Sequence, residues 1–250
     1  MNSGFRVFDT HTHVGTAWHS GRSLRAEELL ASMDRFGVDR SVVIPFPVVA
    51  DYRGTHDEIG RAVAAHPDRL VGAACMDPFI PEQAFRDEVR RCAQVLGFRA
   101  LKLQPQYQAL NPLSSRSEFF FETAIENHLA AICHTGSGVP FALPSLFIWP
   151  ARQFPELPII LAHSGGGLFV SEAIVAASVC PNIYLELSSL MPHHIADVLA
   201  HVPSSHLMIG SDLPESLETE MSKIVTLETT REVKADILWN TAARLFAPAG

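Results

Sequence analysis

Two histidines one residue apart, His11 and His13, follow the apolar run Phe5–Phe8 near the start of the chain. On an extended chain, residues two apart share a face and lie roughly 6.8 Å apart. Two imidazoles so placed can turn ring nitrogens onto one metal ion, while Thr12 points the other way. The pair alone says little in a chain with 12 histidines. Its weight comes from the polar residues at the ends of other apolar runs: Lys102, His134, His163 and Asp212. One histidine at such a position reads as structural. Four histidines and an aspartate at one level are hard to explain as packing and point to a bound metal.

These side chains meet only if the runs that carry them are neighbouring strands. Eight runs read as strands: Phe5–Phe8, Ser41–Phe46, Leu70–Cys75, Phe98–Gln104, Ala130–His134, Pro158–His163, Asn182–Leu187 and His206–Ser211. Helical spacing or helix-forming composition lies between them, at Ala26–Phe36, His56–His66, Pro81–Leu96, Glu118–His128, Leu143–Phe154, Leu168–Ser178 and Pro192–His201. Glu218–Thr226 and Arg231–Phe246 close the chain as helices, and Gln104–Ser117 reads as a loop. Near-continuous apolar strands alternating with helices predict a parallel sheet covered on its outer face. Eight such units fit an α/β fold of the (β/α)8 TIM-barrel type, a single domain over residues 1–250, with its chemistry at the C-terminal ends of the strands. A doubly wound open sheet is the alternative, but no G-x-G-x-x-G follows the first strand.

Composition narrows the partners. The chain carries 19 basic and 27 acidic residues, a net charge of −8, with no basic block. Nucleic acid and anionic membrane are therefore poor partners. No apolar run approaches the roughly 20 residues of a membrane helix, and no signal-peptide pattern opens the chain. Cys75, Cys92, Cys133 and Cys180 are scattered, without C-x-x-C, and read as reduced thiols of a cytoplasmic protein. Cys133, at an apolar strand position, reads as core. His193-His194 reads as surface.

The chain resembles the amidohydrolase superfamily, in the amidohydrolase-related branch that includes aminocarboxymuconate semialdehyde decarboxylase. The matching stretches are Asp9-Thr10-His11-Thr12-His13, Ala100-Leu101-Lys102-Leu103-Gln104-Pro105, His134-Thr135-Gly136 and Ala162-His163-Ser164-Gly165-Gly166. Asn182 to Glu186, Gly210-Ser211-Asp212-Leu213-Pro214 and Asn240 to Phe246 complete them, in family order along nearly the whole chain. The resemblance implies that His11, His13, His134 and Asp212 hold one divalent ion. Zinc suits this set, with manganese or iron as alternatives. A structural zinc site is usually closed by cysteines, and none stand here. Asp212 and His163 would be the catalytic groups, His163 beside the metal in proton transfer or in orienting the bound water. In binuclear relatives the lysine matching Lys102 is carboxylated and bridges a second metal. Here a single metal is favoured, with Lys102 unmodified, paired to Glu186 or holding a substrate carboxylate.

Substrate contacts are expected from loops above the strand ends. Lys102, Gln104, Tyr107, Trp18 and His19 are the candidates, with Phe46, Met76, Gln106 and Met191 behind them. Their mixed aromatic and amide character suits a small organic molecule. The leading expectation is hydrolysis of an amide, ester or lactone by a metal-activated water. Non-oxidative decarboxylation of an aromatic or unsaturated acid is the alternative. It ranks second because no arginine stands at a strand end to grip a carboxylate. A catalytically silent small-molecule binder is the third reading. Some lactonases of the branch work without metal, and family members are often dimers, so a homo-oligomer is expected by analogy only.

Overall fold

In the computed structural model, which describes residues 4–247, nine strands form one sheet. They are β1 (Phe8–Thr16), β2 (Ser23–Leu24), β3 (Arg40–Pro45), β4 (Leu70–Ala74), β5 (Ala100–Leu103), β6 (Ala130–His134), β7 (Ile159–Ala162), β8 (Ile183–Glu186) and β9 (Leu207–Met208). The helices are α1 (Ala26–Phe36), α2 (Tyr52–Ala65), α3 (Glu82–Gln94), α4 (Pro105–Gln108), α5 (Ser115–Glu126) and α6 (Ile148–Gln153). They continue as α7 (Val170–Val179), α8 (Pro192–Leu199), α9 (Leu217–Val225), α10 (Arg231–Ala235) and α11 (Thr241–Leu245). Every strand pairing is parallel except β1 with β2, and from β1 through β3 to β9 the strands lie in chain order. The sheet is curled. Thr12 forms a parallel bridge with Asp212, and the Asp212 amide donates to the His11 carbonyl at 2.7 Å.

Strand side chains alternate between two apolar layers. Val42, Ile44, Ala100, Ile132 and Ile160 fill the inside of the curl with Phe8 and Met208. Val43, Leu101, Leu103, Ala131 and Cys133 pack outward with helix residues such as Leu29, Phe85 and Phe120. Burial on both faces explains why the strands read as unbroken apolar runs. The inward parity then carries Ala100 to Lys102, Ile132 to His134 and Tyr184 to Glu186, each two residues on. Phe8 points inward too, and two-residue spacing from it would turn His11 and His13 outward. A register shift between Asp9 and Thr12 corrects this: two residues of β1 stand against one of β3, which swaps the faces.

Several expected boundaries move. β1 starts at Phe8, so the histidine pair lies within the strand instead of after Phe5–Phe8. The sheet has nine strands and not eight, because Ser23–Leu24 adds a short antiparallel one. The expected loop from Gln104 contains α4, started by Pro105 at its first position, where a missing N–H costs nothing. Leu143–Phe154 becomes a 3-10 turn and then α6, and Arg231–Phe246 is broken by a π-helical stretch at Asp236–Asn240. The outer residues of the expected 1–250 domain, 1–3 and 248–250, lie outside the described residues. Among the described residues no helix is long and apolar enough to cross a membrane.

A buried ionic group locks α2, α3 and β4 together. His56 Nε2 accepts the Cys75 amide at 3.1 Å, so its Nδ1 carries the proton and donates to Glu88 at 2.9 Å. Arg91 grips the same carboxylate through Nε and Nη2 at 2.9 and 2.7 Å. Burial opposes the Glu88 charge, but these donors outweigh it and bring its pKa down to about 2. A depressed carboxylate stabilises the fold fully above its ordinary value of 4.5, and that contribution drains away as pH falls towards 2. Glu88→Ala is expected to cost roughly 3–5 kcal/mol at neutral pH, because it strands buried partners. The deficit against wild type should shrink as pH drops through that window. Denaturant titration at several pH values checks both, and a variant as stable as wild type at pH 7 contradicts the assignment.

Candidate metal centre

His11 Nε2 and His13 Nε2 lie 3.1 Å apart, and Asp212 Oδ1 lies 3.5 and 3.3 Å from them. The far side of each ring is engaged. His11 Nδ1 faces a Glu186 oxygen at 3.1 Å, and His13 Nδ1 faces the Pro45 carbonyl at 3.0 Å. Those oxygens can only accept, so the ring protons sit on the two Nδ1 atoms. Both Nε2 lone pairs then face each other and a carboxylate, which is unstable without a positive charge between them. The buried Lys102 amine, 2.7 Å from His11 Nε2, meets one of these lone pairs, and burial and that lysine push the His11 pKa well below the ordinary value. A metal ion held by both ring nitrogens and the carboxylate is the other positive charge that fits. Atoms about 2.0–2.1 Å from one ion are themselves roughly 3 Å apart, and the outer acceptors on Nδ1 are the partners that metal-bound imidazoles usually have.

Glu186 holds this corner from beneath. Besides His11 it accepts the His163 amide at 3.0 Å, the Ser188 amide at 2.5 Å and the Ser188 hydroxyl at 2.9 Å. Room for it depends on Gly210, where a Cβ would stand 2.5 Å from Glu186 Oε1 and 2.8 Å from His11 Cβ. A second grouping, His11 with His163 and Glu186, shares His11 and amounts to the outer support of the first. Asp9 ties the other end of the corner: it accepts the Ser211 amide at 2.9 Å and the Ser211 hydroxyl at 2.5 Å. Burial raises the Asp9 pKa to about 7 against those bonds. Asp212 and His163 both have positive φ, 64° each, a costly conformation for non-glycine residues that recurs at functional sites.

The expected residues sort as follows. His11, His13 and Asp212 come together. His134 is the next ring but one: its centroid is 4.9 Å from that of His163, and its Nε2 is 2.9 Å from the Ser137 carbonyl. It stands outside the tight three-atom group, and burial with Lys102 nearby lowers its pKa to about 4. The His163 ring packs 4.8 Å from His11 and bonds Ser188 Oγ through Nδ1 at 2.7 Å. Burial and neighbouring His11 hold it well below its ordinary pKa. Lys102 is fully buried, with Nζ 2.7 Å from His11 Nε2 and a pKa brought down to about 8, mainly by burial. It is absent from the cavity wall, so direct substrate contact by Lys102 is not what the geometry offers. The expected direct pairing with Glu186 gives way to this contact with His11.

A cavity of about 520 Å³ opens over the corner, with His13, His134, His163 and Asp212 on its floor and Gln104, Tyr107 and His19 on its wall. His19 stacks on Tyr107 at 4.7 Å. Trp18 is 71% exposed and faces a different depression beside Gly15 and Asp51. Two charged contributors were not expected. Glu186 was considered only as a partner of Lys102, although its place at the end of Ile183–Glu186 matches the other inward polar residues. Arg22 comes from the loop after β1 and lines the cavity, paired with Glu215. No strand-end rule points to it.

A family model described as amidohydrolase matches residues 8–247. No curated protein sequence matches. Among solved structures, the 5-carboxyvanillate decarboxylase of Novosphingobium aromaticivorans, complexed with manganese and 4-hydroxy-3-methoxy-5-nitrobenzoic acid, superposes with a TM-score of 0.79. It is 15% identical, over 98% of this chain and 97% of that one. A dihydroxybenzoic acid decarboxylase from Polaromonas sp. JS666, with bound manganese and 2-nitroresorcinol, gives 0.74 at 15% identity, over 97% of each chain. A probable 2-pyrone-4,6-dicarboxylic acid hydrolase from Acinetobacter baumannii, with citric acid bound, gives 0.71 at 16% identity, over 97% and 99%. At such identities the likeness establishes the fold. Gly210→Ala is expected to destabilise the protein by about 1–3 kcal/mol through overpacking. Chemical denaturation reads this, and an unchanged midpoint would mean that Glu186 and His11 have slack that the distances deny.

Proposed function

The chain belongs to the amidohydrolase family, and from that premise we propose that it is a metal-dependent enzyme that removes carbon dioxide from a small aromatic or unsaturated carboxylic acid. The observation that carries this reading is Arg22, a guanidinium on the wall of the cavity that holds His13, His163 and Asp212. Hydrolysis ranked first only while no arginine was in view. The decarboxylases that share the fold act on acids of this kind. The curled parallel sheet, hydrogen-bonded from its first strand to the segment after its last, supports a (β/α)8 barrel as the scaffold.

His11, His13 and Asp212 would hold one divalent ion, with His134 as the fourth candidate ligand. The imidazole-rich set suits zinc, and the manganese of two structural neighbours makes that ion the first rival. When bound, the ion supplies a positive centre that polarises a substrate oxygen. Arg22 exchanges its Glu215 partner for a substrate carboxylate and so sets the orientation of the molecule. Gln104 and the His19–Tyr107 stack bound the ring or double bond from the side. As the carbon–carbon bond to the leaving carboxylate breaks, its electron pair stays on the substrate carbon, which takes up a proton. That proton enters from solvent water and leaves hydroxide there, since neutral His163 and ionised Asp212 hold no spare proton of their own. His163, braced through Nδ1 by Ser188, and Asp212 line the cavity and are the groups that hold and move that proton. A second reading, hydrolysis of an ester or lactone, draws on Asp212 itself. Its side chain is 34% exposed, and its carboxylate can take a proton from attacking water.

Elemental analysis and assays on aromatic acids and on uncharged lactones test the two readings. Expected are one equivalent of divalent metal, release of carbon dioxide from an acid, and loss of both in the His13→Ala/Asp212→Ala double variant. Arg22→Met should lower kcat/KM on acids about 10- to 100-fold, as loss of a charged hydrogen bond does, and mostly through KM. Lactone turnover without carbon dioxide release, unaffected by Arg22→Met, would replace the first reading with the second.

A further inference from the structure

Beside the cavity over the metal corner lies a second one, of about 300 Å³, and the two share Pro47 and Tyr107. Their walls differ chiefly in charge. The first carries histidines, glutamines, Arg22 and Asp212 beside apolar Phe46 and Leu213. The second is lined mainly by apolar side chains, among them Val48, Val49, Met76 and Phe79. Cys75 adds a soft neutral surface, since burial pushes its thiol up to about 12. Among the described residues that line this annex, Asp77 alone carries a charge, and it is negative. An anionic group would be repelled there, whereas a hydrocarbon group would bury its surface.

We propose that the annex is a subsite for an uncharged aryl or short alkyl arm of the substrate, so that the preferred acid extends beyond a single benzoate-like ring. This rests on the reading of the first cavity as a carboxylate site and names the other end of the molecule bound there. Size agrees: an apolar cavity of roughly 150 Å³ holds one benzene, and the annex has about twice that. Position agrees as well. The partition between the cavities is Tyr107, on the four-residue helix α4. Gln108 anchors that helix, donating to the Met76 carbonyl at 2.8 Å and accepting the Gln104 amide at 2.7 Å. Gln104 faces the first cavity and Met76 the second, so one short element stands at the boundary between them.

Calorimetric titration of the manganese-loaded protein tests this with benzoate, 4-phenylbenzoate and, as the arm alone, benzyl alcohol. Wild type should bind 4-phenylbenzoate at least tenfold more tightly than benzoate. Val48→Trp, which fills the annex from a residue outside the first cavity, should bring that ratio close to one and leave benzoate affinity unchanged. No preference in wild type, or the same preference in both proteins, overturns the proposal. Should Val48→Trp fail to fold, Phe79→Ala at an exposed position reads the same interaction. The ratio should then fall at least threefold, and an unchanged ratio overturns the proposal. If benzoate does not bind wild type at all, the carboxylate reading falls and benzyl alcohol decides the annex separately. Binding that Val48→Trp or Phe79→Ala removes supports it, and binding that is absent or equal in both overturns it.

Discussion

The site depends on a carboxylate that never meets solvent. Glu186 is fully buried, and a buried charge is tolerated only when its lone pairs are met by well-placed donors. It finds them in the His11 ring, the His163 amide, and the amide and hydroxyl of Ser188. Each of these bonds also positions something. The first fixes which nitrogen of His11 is left to face the centre of the site. The second holds the backbone of His163 in a conformation with positive φ, and Ser164 Oγ adds a bond to the Glu186 carbonyl at 2.7 Å. The requirement of one anion thus positions the His11 ring on β1 directly and the His163 ring, just past β7, through Ser188.

A contrast follows between the two ends of the cavity. Of the floor residues, His13 and His134 lie on strands, where the alternation of side chains leaves them no other face, and His163 and Asp212 follow just past β7 and β9. The upper wall is made by the loop residues His19 and Arg22 and by Tyr107 of the short helix α4, held by a stack and an exposed ion pair. Exposed ion pairs are worth little and exchange readily. In the proposed reading, chemistry falls to the floor and recognition to the upper wall, as is general for folds of this kind.

The same contrast explains what could be read from the chain. His11, His13, His134, His163 and Asp212 were legible because strand ends in a parallel sheet share a level, and a polar residue closing an apolar run stands out. Six of the eight expected strand runs overlap an observed strand closely, His206–Ser211 shares only Leu207 and Met208 with β9, and Phe5–Phe8 meets β1 only at Phe8. The shift at Asp9–Thr12 was invisible, since an extra residue in one strand shows only against its neighbour. Arg22 was missed because a loop residue reaches a cavity through three-dimensional placement, for which periodicity has no signature. The expectation for Lys102 put it in the right neighbourhood and on the wrong partner. Burial was predictable from its Leu101 and Leu103 flanks, while the choice between His11 and Glu186 depends on ångström-scale spacing across the sheet.

The hydrogen bonds that join Asp9 to Ser211 span 202 positions, and the corner formed by His11, His13 and Asp212 sits on that seam. A chain made from its N-terminus at about 5–20 residues per second carries the histidine pair for roughly 10 to 40 s before its carboxylate partner has been synthesised. During that interval the first strand has β3 on one side, and on the other only the short β2 at Gly15 and Thr16. In the ribosome-bound chain the corner can form only after Asp212 has been made, and no nascent product that stops short of it can possess the corner.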